Sequence, residues 1–149
     1  MVTLGLARAS KIIDGALAHA RERRFAPLAV AVLDAGGNLI AFKREDGAGI
    51  ARFDIAFGKA WGALGMGFGT RELAQRAAKA ATFVAALSAI TQGRMVPAPG
   101  GVLIAGADND IVGAVGISGD IGDNDEACAI AAIEAAGLTA IPGLIGGAG

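Results

Sequence analysis

Tyrosine is absent from this chain, histidine and cysteine occur once each, and no lysine or arginine follows residue 94. Each scarcity removes a class of function. A lone cysteine, Cys128, excludes an internal disulfide, and its setting among small residues predicts a buried, inert thiol. One histidine and one cysteine cannot assemble a Cys/His zinc site within a single subunit. A Ser-His-Asp triad would need His19, which falls on a helix flank, and Gly116-Ile117-Ser118-Gly119 lacks the nucleophile-elbow spacing. Gly113, Gly116 and Gly119 recur every three residues; this is not G-x-G-x-x-G, and no P-loop lysine follows. Aromatic residues make up 5% of the chain, and the cations are dispersed, so no nucleic-acid partner is expected. No apolar run nears the ~20 residues of a membrane span. Arg8, Lys11 and Asp14 lie within the first periodic segment, unlike a signal peptide. A cytoplasmic protein with no membrane partner is the expectation.

What is present is a 149-residue chain, 54% apolar, read as one domain over residues 1–149. The stretch after Pro142 lacks a pattern and is expected to fray or to lie on a partner. Charge is divided unevenly. Residues 1–94 hold all 13 Lys and Arg and half of the 14 Asp and Glu, while residues 95–149 hold the other half and no cation. Such halves are expected to interlock, within a subunit or between subunits.

Thr3 is positioned to cap a first helix reaching about Arg24, with Leu6, Ala9, Ile13, Ala16, Leu17 and Ala20 on one face. His19 lies at the edge of that face. Leu28–Leu33 is apolar on both faces, which predicts a central strand in a covered sheet. Asp34-Ala35-Gly36-Gly37-Asn38 turns it into an antiparallel return, Leu39–Lys43. A charged loop, Lys43 to Gly47, closes the unit, and Arg44 is either a carboxylate-reading fork or a structural ion-pair partner. The next helix, Ile50–Met66, has Ile50, Phe53, Phe57, Trp61 and Leu64 on a core face. A second stripe holds Ala51, Asp54, Gly58, Gly62 and Gly65; it predicts close helix packing or a ligand wall. Thr70 is read as the cap of a helix to about Ala81, with a restart from Thr82 through Ile90. Arg94–Val96 is expected as a short edge strand, because Pro97 and Pro99 exclude a central one. A hairpin follows, Gly101–Ala105 and Ile111–Ser118, joined at Ala107-Asp108-Asn109-Asp110. An acidic corner then opens a helix from about Asp123 to Gly137, with Asp125 and Glu126 in its first turn. The order α-β-β-α-α-β-β-β-α predicts an α+β fold with a mainly antiparallel sheet.

Two blocks carry a resemblance. One is Ala29-Val30-Ala31-Val32-Leu33-Asp34-Ala35-Gly36-Gly37-Asn38-Leu39, then Arg44, Asp46-Gly47-Ala48 and Lys59-Ala60. The other is Gly100-Gly101-Val102, Val112-Gly113-Ala114-Val115-Gly116-Ile117-Ser118-Gly119 and Asp125-Glu126. In this order, over roughly residues 3–138, the chain resembles the GlcG/HbpS-like family of haem-binding and uncharacterised small proteins. That family includes the C-terminal domain of the PduO cobalamin adenosyltransferase. Members often read Ser-Gly-Gly-Thr then Glu-Gln-Asp-Glu where this chain has Ser118-Gly119-Asp120-Ile121 then Asp123-Asn124-Asp125-Glu126.

The resemblance implies a profilin-like five-stranded sheet, a homo-oligomer, and binding of a small molecule, haem or another tetrapyrrole. Haem needs an axial group; His19 is the first candidate, and Cys128, Met66 and Met95 are the others. Arg44, Lys59, Asp46 and Ser118 are the candidate ligand-binding residues, with no metal site. The alternative is a cofactor-independent isomerase or lyase acting on an acidic small metabolite. It would use Glu126 or Asp125 as acid/base and Arg44 or Lys59 as anion anchor. On either reading Glu126 is expected to meet Arg44 or Lys59 beside a cavity.

Overall fold

Alternate residues of the first strand serve two different cores. In the computed structural model, which describes residues 4–146, Val30 and Val32 face one helical layer while Ala29, Ala31 and Leu33 face another. The elements in order are α1 (Leu6–Glu22), β1 (Ala29–Asp34), β2 (Leu39–Arg44), α2 (Arg52–Met66), α3 (Thr70–Lys79) and α4 (Ala81–Ile90). They continue with β3 (Gly101–Ala105), β4 (Ile111–Ser118), α5 (Gly122–Ala135) and β5 (Thr139–Ile141). The strands form one antiparallel sheet in the order β2-β1-β4-β3-β5. This is the expected α+β fold.

On one face Val30, Val32, Val102, Ile104, Val115 and Ile117 pack against Ile12 and Ile13 of α1 and Cys128, Ala129 and Ile133 of α5. On the other, Ala29, Ala31, Leu33, Leu103 and Ala114 meet Ala56, Ala60 and Ala63 of α2. A smaller cluster, Phe68, Leu73, Val84 and Met95, holds the α3–α4 hairpin. Small residues on α2 let its backbone sit close to the sheet. The methyl of an alanine at 116 would overlap the Ala56 carbonyl oxygen.

Both hairpin turns form where the Asp-rich sequences place them. Asp34 Oδ1 accepts from the Gly36 and Asn38 amides, each at 3.0 Å. Asp108 and Asn109 both adopt φ +57°, a region that Asp and Asn tolerate.

Several expectations are corrected. Residues 94–96 do not pair with the sheet; the fifth strand is β5, against β3. The 94–96 segment is drawn to α2 instead. Arg94 lies over the Trp61 ring, 4.3 Å from its centroid, while Val96 and Met95 fill the space above Gly58 and Gly62. Gly58 and Gly62 are therefore covered by the chain itself and form no ligand wall, while Ala51, Asp54 and Gly65 of the same stripe stay exposed. The aromatic stripe of α2 is not its sheet-facing side either. Phe53, Phe57, Trp61 and Leu64 are half-buried and Ile50 is 98% exposed, because the alanine face takes the sheet. Leu6 is also exposed.

Thr70 is the first residue of α3 rather than its cap. Its hydroxyl accepts from the Gly101 amide at 2.8 Å and ties the helix to the start of β3. Pro142 and Gly143 are anchored by their carbonyls, which accept from the Arg71 and Gly69 amides. Thr3 and residues 147–149 lie outside the described residues, and with them the expected helix cap and the end of the patternless stretch.

Candidate functional site

The chemistry-bearing residues gather at one end of the sheet, where β1 begins and β2 and β4 end. Ala29 pairs with Arg44 on one side and Ser118 on the other. These three side chains therefore share a row on the α2 face. Arg52, in the first turn of α2, donates to Ser118 Oγ at 3.0 Å. Lys59 lies two turns further along the same helix face. Its Nζ passes the end of β4, donates to the Ile117 carbonyl at 2.8 Å and reaches Asp125 Oδ2 at 3.2 Å. Gly100, at φ +124°, leaves the room this needs, since a Cβ there would meet the ammonium.

Lys59 and Asp125 thus join α2 to α5 across the sheet end, with side chains 4% and 1% exposed. Burial pushes the Lys59 ammonium below its ordinary pKa, with Asp125 opposing; burial pushes the Asp125 carboxyl up, with Lys59 opposing. Desolvation acts against both charges, and the contact at hydrogen-bonding distance is what keeps the pair together. Asp125 Oδ1 also accepts from the Asp120 amide at 3.0 Å.

Glu126 does not meet Arg44 or Lys59. Both its oxygens accept from Arg71 Nε, at 3.1 and 2.9 Å, and Arg71 NH2 donates to Asp123 at 2.6 Å. These hydrogen bonds hold the Arg71 guanidinium above its already high pKa. The sequence reading missed Arg71 and Arg52; the signal was the lack of cations after residue 94, which obliges the acidic half to borrow them. With both oxygens of Asp125 and of Glu126 engaged, neither carboxylate is placed to act as an acid/base, and the isomerase or lyase alternative is set aside.

Arg44 and Asp46 lie on the rim. A groove of about 410 Å³ is lined by Arg21, Pro27, Arg44, Glu45 and Asp46. Arg44 donates to the Ala48 carbonyl at 2.8 Å, while Glu45 pairs with Arg21 at 3.1 Å. The structure therefore brings Lys59, Asp125 and Ser118 together, sets Arg44 and Asp46 at the side, and places His19 apart, on α1 in the opposite layer.

Asp120 closes the corner. Its carboxylate accepts from the Ala26 amide at 2.7 Å, the Ile121 amide at 2.8 Å and Asn124 Nδ2 at 2.7 Å. These bonds hold its pKa below the ordinary carboxylate value. A lowered folded pKa means the stabilisation is complete above the unfolded value of about 3.9 and is lost as pH falls through the folded one. The gap in melting temperature between wild type and Asp120→Ala should therefore be open at neutral pH and close below about pH 4. A gap that stays constant down to acid pH would show that the carboxylate charge does not matter.

His19 is half-buried, and its Nδ1 lies 3.2 Å from an Arg23 guanidinium nitrogen. Burial first and Arg23 second hold the imidazole below its ordinary pKa, against Glu22. The neutral ring, the form that ligates a metal, therefore prevails at neutral pH. The other axial candidates are less open. Cys128 is fully buried and its thiol is pushed up to about 11, by burial first. Met95 is buried above Gly62, and Met66 is half-buried against the Phe68 cluster. Among the described residues no group of three or more His, Cys, Asp or Glu could hold a metal ion.

The five-stranded sheet covered on both faces, with its ion-paired end, defines a profilin-like α+β domain. Within that class the chain belongs to the HbpS-like family: the family described as haem degrading protein HbpS-like matches residues 4–134. An uncharacterized 15.0 kDa protein from the dhaT-dhaS intergenic region of Citrobacter freundii is 31% identical over 134 residues, 90% of this chain and 92% of the relative. The crystal structure of a PduOC–haem complex superposes with a TM-score of 0.78 at 26% identity, over 92% of this chain and 97% of that one. HbpS itself superposes with a TM-score of 0.76 at 32% identity, over 89% of each chain.

Proposed function

We propose that this protein binds haem or a closely related tetrapyrrole, with His19 as the axial ligand. The observation that carries the reading is the match to PduOC in complex with haem over nearly the whole of both chains. Local chemistry supports it. His19 keeps a neutral, half-buried ring, and Arg21 and Arg24 stand at the same helix end, where their charge suits carboxylate side chains of a tetrapyrrole. When bound, haem supplies an iron centre that takes small ligands or exchanges an electron. The protein's part is to present the imidazole. Nδ1 accepts from Arg23, which places the neutral ring's proton on Nε2. Coordination through Nε2 therefore requires Arg23 to let go and the proton to move to Nδ1. The proposal sets this binding in the cytoplasm, where a buried reduced thiol such as Cys128 persists.

Titration with haemin, followed in the Soret region, tests it. The wild type should give a saturable shift, and His19→Ala should lose it or weaken binding at least tenfold. Arg23→Ala frees Nδ1 and should bind at least as tightly as wild type. An equal shift in wild type and His19→Ala would remove His19 from the ligand set.

A further inference from the structure

We propose that the groove between α1 and α5 binds a small organic anion, a carboxylate carried on an apolar body. The groove measures about 640 Å³, larger than the one on the rim beside Arg44 and within the range of small-molecule sites. Arg8 and Lys11 stand on its α1 wall, and Gly15, Ala132, Ala135 and Ala136 supply an apolar floor and the facing wall. Its charge is therefore of one sign: among the described residues no carboxylate lines it.

The shape follows from the packing of the two helices. They run antiparallel, with Gly15 against Ala132 and Arg8 against Ala136. A Cβ at position 15 would touch the Ala132 methyl at 3.5 Å, so the backbones lie close there. From that point the groove runs toward Arg8. The Arg8 guanidinium donates to the Ala136 carbonyl at 2.8 Å. This bond fixes the side chain and offsets the negative end of the α5 dipole, which would otherwise repel an anion. Lys11 follows one turn later on the same face. It is exposed, and among the described residues it has no hydrogen-bond or ion-pair partner.

Like charges one turn apart on a helix repel, and no acidic side chain is placed to relieve these two. Asp14, the nearest along α1, is taken by Lys43 at 2.7 Å. Glu134 lies about 160° round α5 from Ala132. An anion bridging Arg8 and Lys11 removes the repulsion and gains charge-assisted hydrogen bonds. The alanine floor selects among anions. Inorganic phosphate gains nothing from it, whereas each methylene laid on it leaves water. The occupant is therefore a monocarboxylate with a short aliphatic or aromatic body. The groove stops at Gly15, one helical turn before His19. The site does not need the imidazole, and the inference does not rest on the haem reading.

Titration of haemin-free protein with butanoate, hexanoate and octanoate, followed by amide NMR, tests it. Octanoate should shift the Gly15, Ala132, Ala135 and Ala136 amides saturably, and each added methylene should tighten binding roughly twofold to fourfold. Lys11→Glu should weaken octanoate at least about tenfold with an unchanged melting point, while Lys11→Arg should retain it. Inorganic phosphate and octanol, each lacking one half of the recognised chemistry, should bind at least about tenfold more weakly than octanoate. His19→Ala should bind octanoate as the wild type does. Four results would overturn the inference: no saturable shift at millimolar octanoate, an undiminished affinity in Lys11→Glu, an affinity independent of chain length, or loss of octanoate binding in His19→Ala. A protein that sediments with phosphatidylglycerol vesicles but leaves free octanoate unbound would overturn it as well, by assigning the two cations to a lipid surface.

Discussion

Lys59→Met is expected to lower the free energy of unfolding by about 3–5 kcal/mol, the usual consequence of removing one member of a buried pair. Asp125 is 1% exposed and sits at the turn from β4 into α5. Without the ammonium it retains only the Asp120 amide as partner, and desolvation drives its pKa up further. A raised folded pKa makes the penalty largest at neutral pH and relieves it as pH falls and the carboxyl protonates. The deficit of the variant should therefore shrink on acidification from pH 7 toward pH 5. Adding Asp125→Leu in the same background should return most of the loss, because two apolar side chains replace a pair whose charges both resist burial. Urea denaturation of the four proteins completes a double-mutant cycle. A Lys59→Met deficit below about 1 kcal/mol would mean the pair behaves as a surface salt bridge.

Gly116→Ala is the other large effect. One added methyl would occupy the position of the Ala56 carbonyl oxygen, and it would also crowd the Ala60 amide. Neither obstacle is a side chain that can turn away. The whole of α2 must lift from β4, and Lys59, carried on α2, then loses its reach to Asp125. Overpacking costs about 1–3 kcal/mol where neighbours can yield; here backbone must move, and a loss of at least about 3 kcal/mol or failure to fold is expected. Gly143→Ala is the control: its added methyl meets nothing within 4 Å, and its stability should stay within about 0.5 kcal/mol of wild type. Thermal melts of both variants decide the matter.

The hairpins and the acidic corner could be read from the sequence because local chemistry dictates them. Asp34 and Asp108–Asn109 make turns wherever they stand between β-branched runs. The buried fate of Lys59, Asp125 and Glu126 was partly legible through charge bookkeeping. Their pairing was not, since choosing among Arg44, Arg52, Lys59 and Arg71 requires the docking of α2 and α3. The two faces of α2 were exchanged for a physical reason. Hydrophobic periodicity favours the large side chains, whereas a sheet whose facing positions include Gly116, Ala29 and Ala31 accepts a close-lying alanine face. The fifth strand was misplaced because Thr139–Ile141 is only three residues long, too short for a pattern, and Arg94–Val96 had the better composition. The exposed side of α4 could not be seen at all. A chargeless ten-residue segment reads as interior, and only the structure shows how little of it is covered.

The carbonyls of Pro142 and Gly143, which receive the Arg71 and Gly69 amides, impose an order in time. The entrance to α3 is completed by a segment made long after it. At about 5–20 residues per second, some fifty further residues take roughly 3–10 s to follow Ile90. Through that interval the entrance to α3 lacks these two acceptors, although Leu73 and Val84 can already pack on Phe68 and Met95. The first turn of α3 is therefore among the last parts of a nascent chain to be completed.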